Sequence, residues 1–192
     1  MIASLLKPII VPMLLVLLCC GLVQGRSNNT SSSSALSSAA FTHRQLTSSL
    51  AVTTLAGNGK AGANDGIGTL ATFSSPRNLC LSTDGSFVLI ADFTNDRIRK
   101  YDMITGAVST VAGSSQGYED NIGTLAKFYG PQDIKIHPSG DFALIADSAN
   151  YRIRQLTLST GGVSTFVGNG AASNADGIGT SASLHRPAGI SI

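Results

Sequence analysis

From residue 51 onward the chain copies itself, and this internal repeat restricts its fold more than any other feature. Val52-Thr53-Thr54-Leu55-Ala56-Gly57 returns as Val108-Ser109-Thr110-Val111-Ala112-Gly113 and again as Val163-Ser164-Thr165-Phe166-Val167-Gly168. Asp65-Gly66-Ile67-Gly68-Thr69 returns as Asp120-Asn121-Ile122-Gly123-Thr124 and Asp176-Gly177-Ile178-Gly179-Thr180. Pro76 maps onto Pro131 and Pro187, at steps of 55 and 56 residues. Residues 73–112 and 128–167 align without a gap at 17 identities in 40 positions. A constant period of this size means one supersecondary unit per repeat, stacked on its neighbours.

Within each unit the strand signals are short and separated by turn residues. Asn78 to Ser82 and Asp133 to His137 alternate apolar and polar side chains. Asp84-Gly85 and Ser139-Gly140 then supply tight turns. Phe87 to Ala91 and Phe142 to Ala146 are unbroken apolar runs, the pattern of strands buried on both faces. Arg97-Ile98-Arg99 and Arg152-Ile153-Arg154 open a third strand, and Val108 to Ala112 and Val163 to Val167 form a fourth. A long connection, Gly113 to Gly130, leads into the next unit. Tandem four-stranded antiparallel units are propeller blades. The expected fold is therefore all-β: a partial β-propeller with complete blades at approximately 77–112 and 132–167 and lone strands at 52–56 and 188–192.

Composition agrees with short strands and many turns. Charged residues are 12% of the chain, against about 25% in ordinary globular domains, and there are 21 glycines and no Trp. The net charge of +2 lacks the broad basic field of a nucleic-acid binder, so no nucleic-acid partner is expected. Of three cysteines, Cys19 and Cys20 lie in an apolar N-terminal run, and Cys80 alone remains in the body of the chain. No disulfide framework can be built from it, and it is read as a spare thiol.

Two non-repeat segments come first. Residues 8–23 are apolar behind a single cation, Lys7, and small or β-branched residues follow at Val23 and Gly25. This fits a signal peptide over residues 1–25, with an uncleaved signal anchor as the alternative; sixteen residues fall short of the ~20 that span a bilayer. Residues 26–50 are a Ser/Thr-rich linker in which 12 of the 24 residues from 27 to 50 are Ser or Thr. Such a tract is expected to stay disordered. It carries overlapping sequons at Asn28 and Asn29 for N-glycosylation. A secreted or extracellular chain follows from this reading, membrane-anchored only if the leader is retained.

Ile90-Ala91-Asp92-Phe93-Thr94-Asn95-Asp96-Arg97-Ile98-Arg99 and Ile145-Ala146-Asp147-Ser148-Ala149-Asn150-Tyr151-Arg152-Ile153-Arg154 resemble the core of NHL repeats. That core reads valine-alanine-aspartate, two variable residues, asparagine, histidine, arginine, isoleucine; Asp96 and Tyr151 stand at the histidine position. The Asp-Gly-x-Gly-Thr segments resemble those of extended NHL repeats in secreted proteins. The resemblance covers residues 51–192 and implies a propeller, commonly six-bladed, that binds proteins, RNA or small ligands. Two blades cannot close a ring that needs about four to eight. The chain is therefore read as a fragment whose missing blades lie in the full-length protein, with ring closure between chains as the alternative.

Candidate site residues are weighed against their structural roles. Arg97, Arg99, Arg152 and Arg154 recur with Asp92, Asn95, Asp147 and Asn150, so ion pairs tying strand to turn are favoured over a phosphate-binding stripe. Asp65, Gly66, Gly68, Asp120, Gly123, Asp176, Gly177 and Gly179 are read as loop-turn residues, Asx turns with close backbone approach rather than a calcium loop. His43, His137 and His185 occupy non-equivalent positions and predict no metal site. No catalytic signature is present, and no catalytic residue, metal or cofactor is expected. The reading is a non-catalytic module that recognises a protein or glycan through its long loops, 57–75, 113–130 and 168–186. The alternative is a truncated propeller enzyme, a lyase or hydrolase, metal-dependent or not, with its active site on missing blades.

Overall fold

The computed structural model describes residues 51–192. The leader, the Ser/Thr-rich linker, Asn28, Asn29 and His43 lie outside the described residues. Among the described residues, nine strands form two antiparallel sheets. β1 (Gly66–Ile67), β2 (Pro76–Leu81), β3 (Phe87–Asp92), β4 (Arg97–Asp102) and β5 (Ala107–Ala112) lie in the order β1-β5-β4-β3-β2. β6 (Pro131–Ile136), β7 (Phe142–Asp147), β8 (Arg152–Thr157) and β9 (Val163–Val167) lie in the order β6-β7-β8-β9. Each sheet is one propeller blade, and the two repeat units share the same register: Ile90 faces Arg99 as Ile145 faces Arg154.

The alternation of side chains decides which blade face meets which core. From β3, Leu89 and Ala91 point toward the second blade and join Ile98, Ala112, Phe128, Ile134, Ile136, Ala143 and Ile145 in one cluster. Val88 and Ile90 point the other way and pack with Ala71, Tyr101 and Val108, against Phe73, Leu79 and Leu81. A strand with a core on each face must be apolar throughout, and β3 is buried from Val88 to Asp92. The blades meet chiefly through β6 against β2 and β3, so the first strands of the two units are brought together.

The ladder also accounts for two departures from expectation. Each first strand begins at its proline, two residues earlier than the alternation suggests, because a strand's first residue can dispense with an N–H. Residues 52–56 and 188–192, expected as lone strands, run without ladder hydrogen bonds. A strand needs a neighbour, and among the described residues neither segment has one. The last segment is nonetheless anchored, since Ile190 N–H donates to Asp133 Oδ2 at 2.7 Å.

β1 was not expected. It arises because the glycine-rich loop folds back along the outer edge of its own blade, Gly66 and Ile67 pairing with Val108 and Ala107. The second unit repeats this in reduced form, through a bridge from Ile122 to Gly162 and a Val163 N–H bond to the Asn121 carbonyl. An exposed edge strand invites pairing with another chain, and here the preceding loop covers it.

Candidate functional site

The residues that recur in every unit form a buried clamp. Asp92 is fully buried and accepts hydrogen bonds from Ser74 N–H at 2.8 Å, Asn95 Nδ2 at 2.8 Å and Arg99 Nη1 at 2.9 Å. Arg99, also 0% exposed, donates further to the Thr72 and Asn64 carbonyls and pairs with Asp65 at 2.7 Å. The second unit repeats the set: Asp147 accepts from Tyr129 N–H, Asn150 and Arg154, and Arg154 reaches the Lys127 and Glu119 carbonyls and Asp120. Asn95 and Asn150 complete it by donating to the Gly62 and Gly117 carbonyls at 2.7 Å. The clamp therefore binds the preceding loop, the turn after the second strand and the third strand into one hydrogen-bonded unit. Only a planar guanidinium offers enough donors in a fixed fork to reach four acceptors at once.

Two assignments change in detail. Arg97 and Arg152 do not bond to aspartate: Arg97 donates to the Ser114 carbonyl at 3.0 Å, and Arg152 to the Asn150 and Asn169 carbonyls at 2.9 Å while lying over the Tyr118 ring. They tie the loop that follows the blade to the loop before it, which Arg97 also reaches through the Ala63 carbonyl at 3.4 Å and Arg152 through the Tyr118 ring, whereas Arg99 and Arg154 hold only the loop before the blade. Asp65 and Asp120 are not Asx turns. They reach across to the outer strand, where Thr110 and Thr165 N–H groups donate to their carboxylates at 3.1 and 3.0 Å. Their ion-pair partners lie 34 residues on. Asp176, at the head of the third loop, makes no such pair among the described residues.

The electrostatics follow the geometry. Burial alone would push the Asp65 carboxyl up, but the Thr110 N–H and hydroxyl and the Arg99 guanidinium outweigh it and hold the group below the usual carboxylate range. Burial wins at Asp147, pushing that carboxyl up against the pull of Asn150, Tyr129 N–H and Arg154. Gly68, Gly123 and Gly179 share a left-handed backbone near φ +55°, which lets each glycine loop turn toward the blade edge. At Gly66 a Cβ would stand 3.0 Å from Leu70 Cβ, and at Gly177 2.8 Å from the Ser181 carbonyl, the close approach the loops require.

The residues that differ between units gather elsewhere. A cleft of about 500 Å³ opens where the turns after β3 and β7 meet the entries to the first strands. Phe93, Thr94 and Asp96 line it from the first blade, and Tyr129, Gln132 and Ser148 from the second. Gln116 and Arg186 close it from the long loops. In the repeat alignment Phe93 and Ser148 are equivalent, as are Asp96 and Tyr151, and Gly130 and Arg186. Asp96 and Arg186 both hold left-handed backbones, at φ 53° and 49°, unusual for residues other than glycine. Asp96 Oδ1 accepts from Gly130 N–H at 2.8 Å, and partial burial pushes its carboxyl above the ordinary range. Sequence reasoning passed over these positions because it looked for recurrence. The signal that marks them is the opposite one: they are where the copies diverge.

The remaining candidates sit apart from the cleft. His137 stacks on Phe142 and His185 on Tyr151, and Cys80 Sγ accepts from Ile136 N–H at 3.4 Å between the blades. Among the described residues no three His, Cys, Asp or Glu side chains converge on a point that could hold a metal ion.

No protein-family model matches the chain. It is 30% identical over 154 residues to the chloroplastic protein SUPPRESSOR OF QUENCHING 1 of Arabidopsis thaliana, a match over 72% of this chain and 14% of that protein. Among solved structures it is similar to an auxiliary nutrient binding protein from Bacteroides ovatus, at a TM-score of 0.54 and 23% identity over 64% of this chain and 33% of that one. A second auxiliary nutrient binding protein, from Bacteroides thetaiotaomicron, aligns over 57% of this chain and 30% of that one, with 21% identity and a TM-score of 0.48. The chain thus spans a third or less of each of these three proteins. The fold is that of a β-propeller, present in part.

Proposed function

We propose that this chain is part of an NHL-type propeller in a secreted or surface protein, and that it binds a glycan without transforming it. The observation that carries this reading is the inter-blade cleft. Its lining mixes polar and apolar surface in near-equal measure, is built from residues in which the repeats differ, and combines amide and carboxylate groups with the Phe93 and Tyr129 rings. Planar polar side chains beside aromatic faces suit a ligand that is hydroxylated on its edges and apolar on its ring faces. The long loops contribute through Gln116 and Arg186, and the middle of the 113–130 loop is held on the blade edge by the Ile122–Gly162 bridge. The similarity to the auxiliary nutrient binding protein from Bacteroides ovatus is in keeping with a binding role for such a fold.

A glycan microarray probed with the full chain tests the proposal. Retention of a defined set of oligosaccharides is expected, and Gln132→Ala or Tyr129→Ala is expected to weaken it at least ~10-fold, the loss of one good hydrogen bond or ring contact in a desolvated site. Leu125→Ser, on the exposed outer loop, leaves retention unchanged. Glycan binding that ignores the two cleft variants, or no glycan binding at all, overturns the assignment.

A further inference from the structure

Six arginines lie among the described residues, and four of them are committed to the scaffold. Arg99 and Arg154 are buried in the clamps, and Arg97 and Arg152 hold the loops through carbonyl oxygens. The other two, Arg77 and Arg186, are exposed and have neither an ion-pair nor a hydrogen-bond partner among the described residues. Both belong to the cleft region. Arg186 lines the cleft itself, and the guanidinium of Arg77 lies 4.6 Å from the centre of the Phe93 ring that forms part of its wall.

Their positions in the repeat show that neither is needed for the blade. Arg77 is equivalent to Gln132 and Ala188, and Arg186 to Ser75 and Gly130. The backbone at the latter position is left-handed in every copy, at φ 50°, 63° and 49°, and always precedes a proline. Glycine fits that conformation without strain, as Gly130 does, whereas arginine adopts it at a cost and against the extended preference of a residue before proline. An exposed arginine held in a strained slot, with no scaffold partner, places a guanidinium on the cleft rim for a purpose outside the fold. With Arg186, the cleft is lined by groups suited to hydroxyls: the Gln116 and Gln132 amides, Ser148 and the Asp96 carboxylate.

We infer that the cleft takes an acidic glycan, with sugar carboxylates paired to Arg186 and Arg77 and ring hydroxyls bonded to the polar groups that line the cleft. This rests on the glycan-binding reading above and narrows its ligand class. A guanidinium matches a carboxylate through two parallel hydrogen bonds. The chain's net charge of +2 offers no wide basic field of the kind a phosphodiester chain needs.

The test compares the full chain's affinity, by titration calorimetry, for an oligouronate and for the same oligosaccharide with its carboxyls methyl-esterified. The acid form is expected to bind at least ~10-fold more tightly. That advantage shrinks as salt rises from about 50 to about 500 mM, because exposed charge pairs are screened. Arg186→Gly removes the cation and relieves the backbone, so it abolishes most of the acid preference while leaving the melting temperature unchanged or raised. Arg77→Gln acts on the same preference without touching a strained position. Equal binding of acid and ester overturns the inference and leaves the glycan reading standing. Binding of neither form overturns both, and a preference for an oligouridylate of equal charge overturns them in favour of RNA. Tighter binding of a sulfated than of a carboxylated oligosaccharide also counts against the carboxylate assignment.

Discussion

Replacing Arg99 by methionine lowers the unfolding free energy of the full chain by about 3–5 kcal/mol, the usual cost of stripping one partner from a buried ion pair. The size follows from what is left behind. Asp92 stays at 0% exposure with two of its three donors, and the Thr72 carbonyl loses the guanidinium that served it. Asp65 has a half-exposed side chain and rehydrates, so its share is small. Arg99→Lys recovers little, because an ammonium cannot reach the Asp92, Asp65, Thr72 and Asn64 acceptors from one fixed plane. Adding Asp92→Asn to the methionine variant removes the stranded charge and restores part of the loss. Urea unfolding followed by circular dichroism measures each difference. A loss under about 1 kcal/mol for Arg99→Met would mean the clamp contributes no more than a surface pair.

The second large effect is expected at Gly113, where alanine costs about 3–5 kcal/mol, combining backbone strain of 1–3 kcal/mol with overpacking of similar size. Gly113 holds φ +87°, and a Cβ there would lie 2.4 Å from the Asp96 carbonyl oxygen and 2.9 Å from Phe128 Cδ2. The first obstacle is backbone and cannot rotate away. Gly59 makes the control: it also has positive φ, at +79°, but nothing stands within 4 Å of its would-be Cβ. Gly59→Ala therefore pays only the conformational part, about 1 kcal/mol. Because the clash falls on Asp96, Gly113→Ala also disturbs the cleft and lowers glycan affinity, whereas Gly59→Ala does not. Thermal melts and glycan titrations of the two variants separate these contributions, and equal destabilisation would refute the role assigned to close packing at Gly113.

Much of the blade was legible along the chain because its determinants are local. Leu89 and Val88 point to opposite cores by simple alternation, and Asp84-Gly85 closes its turn within four residues. The prediction that Asp92 would bond an arginine of its own unit rested on the joint recurrence of the two residues, and it holds for Arg99, seven residues away. Where it failed, at Arg97, the true acceptor is a carbonyl 17 residues on, which no side-chain pattern announces. The strand β1 was missed for a similar reason, since two residues carry no alternation and their pairing depends on a loop folding back some 40 residues. The expected lone strands at 52–56 and 188–192 kept their repeat sequence but not their ladder, because strand structure belongs to the pair and not to the segment.

What the amino-acid order alone decided is the unit: a four-stranded blade with a recurrent Asp-Asn-Arg set, dictated by period-two burial and by turns of fixed length. What only the tertiary structure decided is where chemistry is offered. The cleft joins Phe93, Gln132 and Arg186, which stand in three successive repeats and approach one another only through the stacking of one blade on the next. Repetition had drawn attention to the arginines that the scaffold consumes. Packing shows that the arginines left over are Arg77 and Arg186, because a guanidinium is available to a ligand only when no carboxylate or carbonyl of its own chain has already taken it.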